Sequence, residues 1–133
     1  MANNVTVNGF HHVAMRVKDL DAAVKFYSQV LGFPVVRAWG EGEKRGVMLD
    51  TGKGNCIELF ANGPDGERPD GHWAHLALSC TNTDAAIARV RAAGCTVTME
   101  PADIDIPSSP AYPVRIAFFK GPAGEVIEFF QER

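Results

Sequence analysis

Four side chains in this 133-residue chain have the types and the spacing for metal chemistry: His12, Glu58, His75 and Glu128. Each stands in an apolar run that alternates as a strand does: "FHHVAMRV" (10–17), "CIELF" (56–60), "HWAHLALSC" (72–80) and "EVIEFF" (125–130). Alternation sends neighbouring side chains to opposite faces. Ile57 and Leu59 therefore go to the core while Glu58 goes the other way, and Ile127 and Phe129 leave Glu128 in the same position. A carboxylate in so apolar a run is costly to bury unless something replaces its water. Two imidazole nitrogens and two carboxylate oxygens suit a divalent ion, with positions left for water or substrate. Taken singly, such residues are ordinary, because a lone strand histidine is usually satisfied locally and a lone glutamate solvated. Repetition is what joins them.

His12 and His75 are 63 residues apart, and so are Asp21 of "DAAV" and Asp84 of "DAAI". The same interval at two motifs indicates a duplicated unit. In the first copy a strand with Val13, Met15 and Val17 on its dry face leads into "KDLDAAVKFYSQVLG". That segment predicts a helix, with Asp19 or Asp21 as its cap, Leu20, Val24, Tyr27 and Leu31 on one face, and Gly32 as its stop. Strand-like runs follow near 34–39, 45–50 and 55–61. In the second copy the first strand has Ala74, Leu76, Leu78 and Cys80 on one face and His75, Ala77 and Ser79 on the other. "TNTDAAIARVRAAG" is the matching capped helix, with Ile87 and Val90 inward, and runs near 95–99, 114–119 and 125–131 complete the set. The fold class expected is α+β: two repeated β-α-β-β-β modules forming curved mixed sheets around a metal site. A single domain spans 1–133, with module one at about 8–61, a Gly/Pro-rich linker at 62–71 and module two at about 72–133. Between Pro101 and Pro113, "PADIDIPSSPAYP" holds four prolines, which argues against a regular ladder and reads as a long functional loop or lid.

Composition narrows the function. The hydrophobic fraction of 46% and charged fraction of 22% are those of an ordinary globular domain. Net charge is −3 with no run of like charges, so nothing points to nucleic acid or an anionic membrane surface. No apolar stretch approaches the ~20 residues of a membrane span, and "MANNVTVNGF" does not have the form of a signal peptide. Cys56, Cys80 and Cys95 are odd in number and widely spaced, which suits small buried hydrophobes in a reducing cytoplasm. His11 faces away from His12, and His72 lies at a loop end. No nucleophile elbow, phosphate loop, zinc-protease helix or dinucleotide fingerprint is present.

The segments "HHVAMRVKDLDAAVKFYSQVLGF", "HLAL" and "GPAGEVIEFF" resemble the vicinal oxygen chelate superfamily over nearly the whole chain, and within it glyoxalase I. Methylmalonyl-CoA epimerases usually carry Gln at the second ligand position; ring-cleaving dioxygenases and fosfomycin-resistance transferases use two His and one Glu. The resemblance implies His12, Glu58, His75 and Glu128 as metal ligands, one divalent ion per site (nickel, cobalt or zinc), and isomerisation of a thiol hemithioacetal such as that of methylglyoxal through an enediolate. It further implies Glu128 as the catalytic base and Glu58 as companion carboxylate. Arg16, four residues after the first His, and Asn62, four after Glu58, match glutathione-contacting positions. Arg16 can equally pair with a carboxylate and Asn62 close a turn. Arg115 and Lys120 are the candidates for holding a glycyl carboxylate. The glyoxalase-like branch also implies a homodimer, with His12 and Glu58 from one subunit and His75 and Glu128 from its partner. The other classes are a related metal enzyme (epimerase, dioxygenase or thiol transferase) and a non-catalytic small-molecule binder.

Overall fold

The computed structural model describes residues 7–30, 32–66, 73–120 and 126–133. It is α+β, with eight strands and two α-helices in the described residues, in the order β1 (Val7–Arg16), α1 (Leu20–Lys25), β2 (Val35–Trp39), β3 (Gly46–Gly52), β4 (Asn55–Phe60), β5 (Trp73–Cys80), α2 (Thr83–Ala92), β6 (Val97–Ile106), β7 (Tyr112–Lys120) and β8 (Val126–Glu132). The β-α-β-β-β order occurs twice, as the repeat predicts. Two compact units form. One contains residues up to His11 with His75–Ile106 and Tyr112–Arg133; the other contains His12–Ala74 with Pro107–Ala111.

In the second of these units β2, β3 and β4 pair antiparallel, and β4 lies parallel to β1. Leu20 of α1 is buried with Val47, Leu49 and Leu59, and Met15, Val17, Val24, Tyr27, Phe33 and Ile57 pack around them. The helix starts where Asp19 accepts a hydrogen bond from the Ala22 amide at 3.0 Å, so Asp19 rather than Asp21 is its cap. It is shorter than the periodicity predicts. After Lys25 it widens into one π-helical turn, Phe26–Val30, and Tyr27 stacks on Phe33 with centroids 6.4 Å apart. Leu31 lies outside the described residues, as do His72 and the linker beyond Gly66.

In the first unit β6, β7 and β8 pair antiparallel, and β8 lies parallel to β5. The core under α2 is Cys80, Ala86, Ile87, Ala117, Phe119 and Phe129, joined by Leu78, Val90, Val97 and Ile127. Asn82 caps α2 by accepting from the Ala85 amide at 3.0 Å, the repeat partner of Asp19. No helix among the described residues is long and apolar enough to cross a membrane.

The segment from Pro101 to Pro113 is not a long loop. β6 and β7 form a ladder that runs on to Ile106↔Tyr112, leaving only residues 107–111 between them. The prolines are accommodated one by one. Pro101 sits in a register shift between Met99 and Ala102, where a missing N–H costs no ladder bond. Pro107 and Pro110 fall in the connection, and Pro113 lies near the start of β7, where its carbonyl accepts from the Arg133 amide at 3.0 Å.

Candidate metal centre

The site residues are placed by register. On β4, Glu58 stands between Ala14 of β1 and Met48 of β3. On β8, Glu128 stands between Ala77 of β5 and Phe118 of β7. His12 and His75 each precede those alanines by two residues, so each shares its face. Both alanines are 0% exposed, and a methyl group takes up little of the space through which the imidazole leans across to the carboxylate. The result is two equivalent pairs. His12 Nε2 lies 3.2 Å from Glu58 Oε1, and His75 Nε2 lies 3.1 Å from Glu128 Oε1. His12, Glu58 and Glu128 are buried and His75 partly so. Phe118 meets the His75 ring edge-on at 5.4 Å, which fixes its plane.

These spacings suit a metal. Two ligands about 2.1 Å from one ion stand about 3.0 to 3.4 Å apart on neighbouring octahedral or tetrahedral positions. The donor set is imidazole nitrogen plus carboxylate oxygen, and a bound cation would offset the cost of burying a carboxylate in each pair.

The repeated "H-x-A" of "HVA" and "HLA" was the readable signal for Ala14 and Ala77, which reasoning from ligand types alone passes over. Ala77→Leu is expected to weaken metal binding and to cost about 1–3 kcal/mol through overpacking. A denaturation midpoint and a metal titration both equal to wild type would show that Ala77 does not set the room beside Glu128.

Other expected residues fare differently. Arg16 follows Ala14 by two on the His12 face. It donates from Nη1 to the Ala61 carbonyl at 3.3 Å, and its guanidinium carbon stands 5.3 Å from the Phe60 ring centre. Asn62 is exposed with φ +64°, the left-handed backbone of a turn. Arg115 is engaged elsewhere. It donates to both Asp84 oxygens, at 2.7 and 2.8 Å, and to Asp103 at 3.0 Å. That fork holds the Asp84 carboxyl below its ordinary range and raises the Arg115 guanidinium further. Lys120 is exposed at the end of β7. His11 is buried, packs on Phe130 with centroids 3.9 Å apart and hydrogen-bonds the Tyr112 hydroxyl at 2.9 Å. Cys56, Cys80 and Cys95 are free thiols, and burial pushes the Cys80 thiol up.

The sequence and the fold have counterparts among known proteins. The family model described as Glyoxalase/Bleomycin resistance protein/Dioxygenase superfamily matches residues 9–129. A lactoylglutathione lyase of Escherichia coli O157:H7 is 32% identical over 133 residues, covering 92% of this chain and 91% of that protein. Among solved structures, a methylmalonyl-CoA epimerase from Mycobacterium tuberculosis is similar in fold, with a TM-score of 0.76, 24% identity, and coverage of 100% of this chain and 93% of that one. The Mn(II)-bound glyoxalase from Novosphingobium aromaticivorans gives a TM-score of 0.70 at 26% identity, covering 96% of this chain and 40% of that one. With two halves in the same strand order and a family match across nearly all of both, this chain belongs to the Glyoxalase/Bleomycin resistance protein/Dioxygenase superfamily.

Proposed function

We propose that the protein is a metal-dependent lyase of the glyoxalase I type, isomerising the hemithioacetal of a thiol and an α-oxoaldehyde such as methylglyoxal. In this reading His12, Glu58, His75 and Glu128 hold one divalent ion, with nickel, cobalt and zinc as candidates. The observation that carries it is the duplicated imidazole–carboxylate pair at register-equivalent positions, one pair at 3.2 Å and the other at 3.1 Å. The relative named a lactoylglutathione lyase supports the choice of reaction. When bound, the ion supplies a Lewis acid that makes the substrate's carbon acid easier to ionise.

The chain's own groups do the rest. Glu128 takes the proton from the carbon that bears sulfur and hydroxyl, and returns it to the neighbouring carbon. One C–H bond breaks and another forms, the hydroxyl and carbonyl exchange places, and no oxidant is consumed. Glu58 is the companion carboxylate. Arg16 and Asn62 bind the thiol arm, the guanidinium offering its charge to a carboxylate. The buried setting of His12, Glu58 and Glu128 keeps water from competing for the proton. A cytoplasmic role in removing reactive aldehydes accords with this chemistry.

The test is turnover of methylglyoxal with glutathione after loading with nickel, cobalt, zinc or manganese, run beside methylmalonyl-CoA. Thioester formation from the first mixture supports the lyase; epimerisation of the second without the first replaces it with a related enolising enzyme. Refolding a mixture of His12→Ala and Glu128→Gln chains then locates the ligands. Activity that returns means a homodimer with shared sites, and a well-folded mixture that stays inactive means that each chain supplies its own.

A further inference from the structure

The sheet face that carries His12 and Glu58 has a second feature. Register sets its cross-strand rows. Ala14, Glu58, Met48 and Arg37 form one, and Arg16, Phe60, Gly46 and Trp39 form the next. In the second row Gly46 has no side chain, and the Trp39 indole lies over it: a Cβ there would stand well inside contact distance of the ring. Trp39 meets Phe60 edge to face at 6.2 Å and 76°. The Arg16 guanidinium stands over the Phe60 ring, 5.3 Å from its centre. Trp39 and Phe60 are both partly exposed, so the row offers aromatic surface ending in a cation, one row from Glu58.

Covering a strand glycine with an aromatic ring is also a way to stabilise a ladder. That role explains Trp39 over Gly46. It does not require the cation at the far end, nor the row's place beside the carboxylate.

We propose that Trp39 and Phe60 form a stacking shelf that selects a substrate arm carrying a flat, π-conjugated group, with that arm's negative charge directed to Arg16. The proposal rests on the lyase reading and makes Trp39 a specificity-determining residue. Aromatic stacking of this kind is expected to favour a flat arm about fivefold.

Three thiols, each combined with methylglyoxal, separate the contributions: para-(mercaptomethyl)benzoate is flat and charged, mercaptopropionate charged only, and benzyl mercaptan flat only. The wild type should favour the benzoate adduct over the propionate adduct about fivefold in kcat/KM. Trp39→Leu should abolish that preference while leaving the propionate adduct near its wild-type rate. Gly46→Ala should do the same by lifting the indole, and it decides the matter if Trp39→Leu folds poorly. Equal use of both acids by the wild type, or a preference that survives displacement of Trp39, overturns the shelf. A readout independent of turnover is Trp39 fluorescence in a Trp73→Phe background. Saturable quenching by the benzoate thiol and not by mercaptopropionate supports the shelf, and its absence overturns it. If no adduct turns over, the lyase reading fails, and the quenching result still judges the shelf alone.

Discussion

Glu128→Gln is expected to fold, to keep most of its metal and to lose about a hundredfold to ten-thousandfold in kcat, the range a positioned general base contributes. The amide preserves the size of the carboxylate between Ala77 and Phe118. It keeps one oxygen to face the ion and cannot accept the substrate proton. Glu58→Gln is the informative companion. The two carboxylates occupy equivalent positions, so if both variants fall equally, proton transfer is shared or the loss is one of metal. If only Glu128→Gln falls while metal content holds, the base is assigned. Near-wild-type turnover by Glu128→Gln on the true substrate would end the proton-transfer role and leave Glu128 a ligand only.

The second large effect concerns the ion itself. Elemental analysis of metal-loaded protein should give about one ion per chain, as four protein ligands at one site require. Binding to the folded state alone stabilises it by mass action, by about 2.7 kcal/mol when free metal is a hundredfold above Kd. Tm should therefore rise on loading. The His12→Ala, His75→Ala double variant removes one nitrogen from each pair. It should bind no stoichiometric ion, show no rise in Tm and have no turnover, while its metal-free Tm reports whether the fold survives. Metal retained at wild-type stoichiometry by that variant would show that the two pairs are not the site. The Tm comparison needs no substrate, so it stands even if the reaction assigned here is the wrong member of the superfamily.

How much of this was legible in the sequence depends on the kind of constraint. Alternation placed Glu58 and Glu128 against the core-facing Ile57, Leu59, Ile127 and Phe129 because a strand's period of two leaves no other choice. The 63-residue interval carried the repeated β-α-β-β-β order, while the structure was needed to choose the caps, Asp19 in one half and Asn82 in the other, themselves 63 residues apart. Less visible were residues that act by being small. Ala14 and Ala77 stand opposite Glu58 and Glu128, where the repeated H-x-A hints at them, and Gly46 makes room for Trp39; what each does is plain only once register shows what lies opposite. Arg115 shows the reverse difficulty. Its charge invites a role in substrate binding, yet Asp84, 31 residues away in the chain, holds it in a two-point fork. Proline misled for a third reason. Its effect on a ladder depends on whether its nitrogen faces a partner, and composition does not carry that information.

β6 has a consequence for how the chain behaves among its own copies. It stands last in its strand order, with β7 as its ladder partner. A ten-residue strand in that position would ordinarily offer a template on which other chains could align, and nascent, half-folded chains would be the most exposed to it. Pro101 removes an amide from the middle of β6, and the register shifts on either side of Met99 break its straightness. An incoming strand can therefore find no long, regular row of partners. The same residue that interrupts the sequence pattern thus acts as a gatekeeper against fibrous self-association, a protection that matters most before the fold is complete.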